Sequence, residues 1–218
     1  MFMAMPTPKT PPPSGLGLIV LWQLNAQPMH VYRMQKLFER EGKDRVVNVR
    51  SRASLYQAIE RLVRLGLVEA AGSERHPGYP DRVIYAITDT GREVAHDWLR
   101  QLLRDRGEQY PDFVAALSVL FGLAPEDAQA QLEHRAERLA AELASCEATV
   151  AGAPPGLPRL FLLEEEYRAA VLGAELDWVR GVVADLSEGR LAWSEEWLRE
   201  LASQFLAADQ EHDNGSDA

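Results

Sequence analysis

Apolar positions recur at helical spacing along most of the chain, and the period changes in one short region only. Residues 15–26 (GLGLIVLWQLNA) are apolar nearly all round, the pattern of a buried helix. Residues 29–41 place Met29, Tyr32 or Arg33, Leu37 and Phe38 at helical steps and predict a second helix. A third is expected over 51–65, N-capped by Ser51 and stopped at Gly66, with the stripe Leu55, Ile59 and Leu62 on one side. The period then shifts. Residues 67–70 and 82–87 are short β-branched and apolar runs, and GSERHPGYPD lies between them, so a strand, a long hairpin loop and a second strand are expected. Thr88 or Thr90 caps a fourth helix running to about Arg106, with Val94, Trp98 and Leu102 on one face.

The second half follows a simpler rule. From Pro125, the residues Ala128, Leu132, Ala136, Leu139, Leu143, Cys146 and Val150 recur in steps of three or four. Beyond the breaker GAPPGLP, the residues Leu160, Leu163, Tyr167, Ala170, Ala174, Trp178 and Val182 repeat that spacing. Two long amphipathic helices joined by a Pro/Gly turn predict an antiparallel hairpin. Such a hairpin buries one stripe, so the remaining apolar residues, Trp193 and Trp197 among them, are expected to meet another subunit.

Three helices, a two-stranded wing and a helix make a winged helix-turn-helix. The fold class expected is therefore mainly α: a winged helix-turn-helix with a linking helix, followed by an α-helical, coiled-coil-like dimerisation domain. The boundaries expected are a proline-rich disordered tail at 1–14, a DNA-binding domain at 15–107, a dimerisation domain at 108–206 and a second disordered tail at 207–218. The apolar run 15–24, behind Lys9, imitates a signal peptide but is too short to span a bilayer. It is taken as a core helix, and no membrane association is expected.

Composition sharpens this division. The 218 residues carry a net charge of −10, but residues 1–107 hold 16 Lys and Arg against 11 Asp and Glu (+5), while 108–218 hold 7 against 22 (−15). Such asymmetry points to a first half that faces a polyanion and a second half that is strongly solvated. The single cysteine, Cys146, excludes an internal disulfide framework and fits a reducing cytoplasm. Sitting on an apolar seam, it behaves as a small hydrophobe. His30, His76, His96, His134 and His212 are scattered without metal-ligand spacing, and no catalytic motif occurs, so neither an enzyme nor a cofactor is expected. The acidic run 164–166 is simplest as a solvated helix start.

Five stretches in order, PMHVY (28–32), SLY (54–56), RLVRLGLVE (61–69), YAITDTG (85–91) and AELDWVRGVVADLSEG (174–189), give the chain a resemblance to the PadR family of transcriptional regulators, in a form with a long C-terminal helical dimerisation domain. The resemblance spans about 15–200 and implies DNA binding. It also implies regulation, since some members respond to small aromatic or hydrophobic effectors. Val31, Ala53 and Gln57 depart from the residues common in the family. Ala53 and Gln57 lie on the presumed reading face, so the family's operator sequences do not transfer.

The residues support DNA binding independently. At 100° per residue, the side of 51–65 opposite the apolar stripe carries Ala53, Gln57, Glu60 and Arg64, flanked by Tyr56 on one edge and Ser54 and Arg61 on the other. Ser54, Gln57 and Arg61 offer donors and acceptors for base edges in the major groove, and Tyr56 is placed to donate to a phosphate. Arg33, Lys36, Arg40, Lys43, Arg45, Arg50 and Arg52, against only Glu39, Glu41 and Asp44, supply phosphate neutralisation; Arg75, His76 and Arg82 extend it to the wing. Tyr32 is a candidate phosphate contact or a core aromatic. The candidate dimerisation residues are Leu132, Leu139, Leu143, Tyr167, Trp178 and Val182. Trp22, Trp98, Trp178, Trp193 and Trp197 are candidates either to line an effector cavity between the two parts or to pack in core and interface.

Two functional readings follow. The first is a homodimeric regulator, a repressor on a palindromic double-stranded operator, released by a small aromatic or hydrophobic effector. The alternative is a winged-helix protein-protein interaction module without specific DNA binding, with the acidic second half as its docking surface.

Overall fold

The computed structural model describes residues 11–43, 52–74, 82–105, 111–201 and 203–204. It divides into two compact units, Met1–Gln109 and Tyr110–Ala218. Residues 1–10 of the first expected tail, all of the second (207–218), the Ser51 cap and the candidate residues Arg45, Arg50, Arg75 and His76 lie outside the described residues.

The first unit runs α1 (Gly15–Ala26), β1 (Met29–His30), α2 (Val31–Arg40), α3 (Arg52–Arg64), β2 (Val68–Glu74), β3 (Arg82–Ile87) and α4 (Asp89–Arg104). Ser14 starts α1 by accepting the Gly17 N–H on its hydroxyl at 3.2 Å. The core beneath these helices joins Val20, Leu21 and Leu24 of α1, Met34 and Phe38 of α2, Leu55, Ile59 and Leu62 of α3, and Trp98 of α4. Trp98 is fully buried and donates its indole N–H to the Pro11 carbonyl at 2.8 Å, so it is a packed core residue and not a cavity wall.

The sheet is antiparallel in the order β1-β3-β2. β1 was not expected, because two residues are too few to show a period; they pair as Met29 with Tyr85 and His30 with Ile84. β2 also corrects an expectation, since it continues through Glu74 where the sequence read as loop. Its AAGS core has poor strand propensity, but the β-branched β3 templates it through pairs from Val68–Ile87 to Glu74–Arg82, with an irregularity between Ala70 and Gly72.

One junction locks α3, the sheet and α4 together. Gly66 turns the chain out of α3 at φ +69°. Thr88 donates its hydroxyl to the Gly66 carbonyl at 2.8 Å, accepts the Gly91 N–H at 3.0 Å, and sends its own N–H to the Leu67 carbonyl at 3.1 Å. A side chain at Gly91 would lie 2.1 Å from that same Leu67 oxygen. The ITDTG stretch is therefore a cap and a close approach in one, which is why it reads as a motif.

The second unit contains α5 (Asp112–Ser118), a 3-10 turn at Leu120–Gly122, α6 (Pro125–Ala151), a 3-10 turn at Arg159–Phe161 and α7 (Leu163–Ser187). α6 and α7 form the hairpin that the spacing predicts. α5 was missed: seven residues without a buried position leave no stripe to detect. The second long helix begins at Leu163, the residues before it forming the 3-10 turn instead. Leu132 and Leu139 bury against Leu176, Val179 and Leu186 of the same chain, with Leu143 and Val182 packed alongside. The acidic helix start is also more structured than expected, since Glu165 is buried and holds Arg168 through bonds of 3.1 and 3.0 Å, while Glu166 pairs with Arg159. The Arg159 hydrogen bond holds the Glu166 carboxyl below its usual range. Among the described residues no helix is long and apolar enough to cross a membrane.

Candidate nucleic-acid interface

α2 and α3 present the polar surface that the sequence marks. Leu55, Ile59 and Leu62 turn α3 inward, which leaves Ala53, Gln57, Glu60 and Arg64 exposed on its opposite side. Tyr56 is 47% exposed although aromatic, and Ser54 is half-buried on the other flank. Arg52 begins the helix. The Arg61 guanidinium donates to the Pro12 carbonyl at 3.1 Å, towards the segment that precedes α1.

On α2, Tyr32, Arg33 and Lys36 are exposed. Lys36 reaches Glu39 at 2.8 Å, an exposed pair that restrains the ammonium only weakly. Arg33 donates to Gln27 Oε1 at 3.4 Å. The wing joins α2 through a cluster that the sequence did not reveal. The Arg82 guanidinium lies 5.1 Å from the centre of the Tyr32 ring, which in turn stacks on His30 at 6.2 Å and 26°. His30 Nδ1 accepts the Arg33 N–H at 3.0 Å and so caps α2, while Nε2 faces Glu74 of β2 at 3.4 Å. The only sequence signal for this role is a histidine placed one residue before a helix.

An accepting Nδ1 requires the neutral tautomer with the proton on Nε2. Burial lowers the His30 pKa, the Arg82 and Arg33 charges lower it further, and Glu74 opposes them. His30, Tyr32, Arg33, Lys36, Glu74 and Arg82 border a cleft of about 500 Å³. Its rim carries three cationic side chains and one carboxylate, a charge balance that favours an anionic group over an apolar ligand.

Four of the five tryptophans make contacts within their own unit. Trp22 is exposed and meets His96 edge-on at 5.5 Å, and Trp98 is core. In the second unit Trp178 is half-exposed against Phe113 at 6.2 Å, and the Trp193 N–H donates to the Leu123 carbonyl at 2.8 Å within its own unit. Cys146 is buried. Among the described residues no group of His, Cys, Asp and Glu is arranged to hold a metal ion.

The family model described as "Transcriptional regulator PadR-like family" matches residues 20–97, which contain this surface. Among solved structures, Bacillus subtilis PadR in complex with operator DNA is similar at 15% identity and TM-score 0.61, covering 79% of this chain and 99% of that one. The same protein in complex with p-coumaric acid gives 15% and 0.60, covering 79% and 98%. The PadR-like transcriptional regulator BC1756 from Bacillus cereus gives 18% and 0.55, covering 83% and 99%. No curated protein matches the chain significantly. Residues 20–97 are thus a domain of the PadR-like transcriptional regulator family, and the chain carries the winged-helix PadR fold with long C-terminal helices.

Proposed function

We propose that the protein is a sequence-specific double-stranded DNA-binding regulator, a repressor that occupies a palindromic operator as a homodimer and is released by a small effector. One observation carries this reading: the exposed face of α3, with Gln57 at its centre and Tyr56 on its edge, accompanies a cationic cleft formed by Arg33, Lys36 and Arg82. Gln57, Ser54 and the first turns of α3 read base edges in the major groove, while Tyr32, Tyr56 and the cleft hold phosphates on either side. The solved relative in complex with operator DNA favours this use of the fold.

Dimerisation falls to the second unit, residues 108–206 in the expected division. Leu132, Leu139, Leu143 and Val182 serve mainly the hairpin seam, so the contact with a second copy rests on exposed Tyr167 and Trp178 together with Leu160 and Phe161. So much exposed large apolar surface is what a partner covers. Two recognition helices would then meet half-sites about 34 Å apart or a multiple of that. The proposed setting is the cytoplasm, without enzymatic activity or cofactor.

A selected-DNA binding experiment tests the proposal. The wild-type chain enriches an inverted-repeat sequence, and Gln57→Ala loses preference at one base per half-site, a discrimination of roughly 1–3 kcal/mol. Enrichment of no sequence by the wild type overturns the reading and favours the protein-docking alternative.

A further inference from the structure

Four side chains that border the cationic cleft contact one another in the order Glu74, His30, Tyr32, Arg82. They come from four elements. Glu74 closes β2, Arg82 opens β3 directly across the sheet from it, His30 lies in β1, and Tyr32 sits in the first turn of α2. A carboxylate and a guanidinium at paired cross-strand positions ordinarily attract one another. Here Glu74 faces His30 Nε2 at 3.4 Å instead, and among the described residues the Arg82 guanidinium makes no hydrogen bond or ion pair. Its contact is the Tyr32 ring, whose centre lies 5.1 Å away.

That contact differs in kind from those of the other two cations of the cleft. Lys36 directs a donor to Glu39 at 2.8 Å, and Arg33 directs one to Gln27 at 3.4 Å. An aromatic face attracts a guanidinium through the ring quadrupole and engages none of its five N–H donors. It therefore fixes the position of the cation and leaves the whole fork to an incoming anion. The ring is itself braced. Tyr32 stacks on His30 at 6.2 Å and 26°, and the His30 side chain, only 13% exposed, accepts the Arg33 N–H at 3.0 Å on its other nitrogen. Tyr32 is 43% exposed and lies outside the hydrophobic core, so burial does not account for an aromatic residue here.

We propose that Tyr32 is a positioning residue for DNA binding: its ring, braced by His30, holds the Arg82 guanidinium at the cleft with its donors available to a phosphate of the duplex. The inference rests on the DNA-binding reading above and assigns the role to the ring, separately from any contact of the hydroxyl. Restricting a long side chain before the phosphate arrives strengthens binding, because less rotamer freedom is lost on association.

The test is a double-mutant cycle on the full chain, read by fluorescence anisotropy with a labelled random-sequence duplex of about 30 base pairs in about 50 mM salt, where phosphate contacts govern affinity. Arg82→Ala should weaken binding about fivefold in the wild-type background and about fivefold in Tyr32→Phe, which keeps the ring, but only about twofold in Tyr32→Leu, which removes it. Lys36→Ala, whose ammonium pairs with Glu39, should weaken binding by one and the same factor in all three backgrounds. Because position 32 is exposed, Tyr32→Leu should keep the wild-type circular dichroism and thermal midpoint. The proposal is overturned if Arg82→Ala has no effect on the wild type, or an equal effect in the wild-type and Tyr32→Leu backgrounds. It is overturned also if Tyr32→Phe loses the coupling as Tyr32→Leu does, or if Lys36→Ala loses its effect in Tyr32→Leu together with Arg82→Ala, since Tyr32 then supports the unit as a whole. A wild type that binds no duplex sinks the DNA-binding reading and this one with it, whereas duplex binding with an additive cycle sinks this one alone.

Discussion

Gly91→Ala should weaken the protein substantially although it adds one methyl group and improves helix propensity. The added Cβ would stand 2.1 Å from the Leu67 carbonyl oxygen and 2.8 Å from Ile87 Cγ1, so α4 and the start of β2 must separate by roughly 1 Å. Leu67 cannot yield alone. Its carbonyl accepts the Thr88 N–H at 3.1 Å and its N–H donates to Leu62 O at 2.9 Å, so displacement strains both the α4 cap and the end of α3. Overpacking of this kind costs about 1–3 kcal/mol, occasionally more, and the alanine preference returns at most about 1 kcal/mol. A net loss of about 2 kcal/mol is expected. With a urea slope of about 1–3 kcal/mol/M, the midpoint falls by about 1 M, and DNA affinity falls with it because α3 is repositioned. An unchanged or higher midpoint in Gly91→Ala would refute the reasoning, since the close approach would then have no energetic consequence.

Other outcomes follow from the same geometry. Trp98→Ala removes the central, fully buried side chain of the first unit and should cost about 3–5 kcal/mol in denaturant unfolding; a loss under 1 kcal/mol contradicts its place in the core. His30 has a folded-state pKa below the ordinary 6.5, so protons favour the unfolded chain and stability declines as pH falls from 6.5 towards the lower folded value. His30→Asn keeps a capping oxygen but cannot titrate, so its unfolding midpoint should fall less over that window; parallel pH profiles would show that His30 is not the titrating group. Trp178→Ser, on the exposed face of α7, should lower the dimer fraction in analytical ultracentrifugation without unfolding the chain, whereas an unchanged dissociation constant places the contact elsewhere.

Legibility in the sequence depended on where the determining interactions lie. α1, α3, α4 and the α6–α7 hairpin follow from apolar positions within single segments, most of which land in a core, whereas Leu102, Leu160, Tyr167 and Trp178 of the expected stripes are exposed. The extension of β2 was hidden because its AAGS sequence is held as a strand by β3, a partner eight or more residues away. α5 was hidden because it has no buried face. In the candidate interface, Gln57 and Tyr56 were visible as polar or aromatic residues opposite a stripe. The contact of Arg61 with the Pro12 carbonyl was not visible, because nothing in the helix itself points to a partner 49 residues away. The His30–Glu74 and Arg82–Tyr32 contacts join residues 44 and 50 positions apart in the chain, which no local period reports.

The salt dependence of duplex binding addresses the DNA-binding function most directly. Fluorescence anisotropy of the full chain on its own promoter DNA, from 50 to 200 mM salt, should give an affinity that falls linearly on logarithmic axes with a slope near −0.9 per phosphate contacted. Lys36→Ala should reduce that slope by about one without changing base preference. Absence of duplex binding at low salt, or an affinity indifferent to salt, would contradict a winged helix that holds DNA through its cationic cleft.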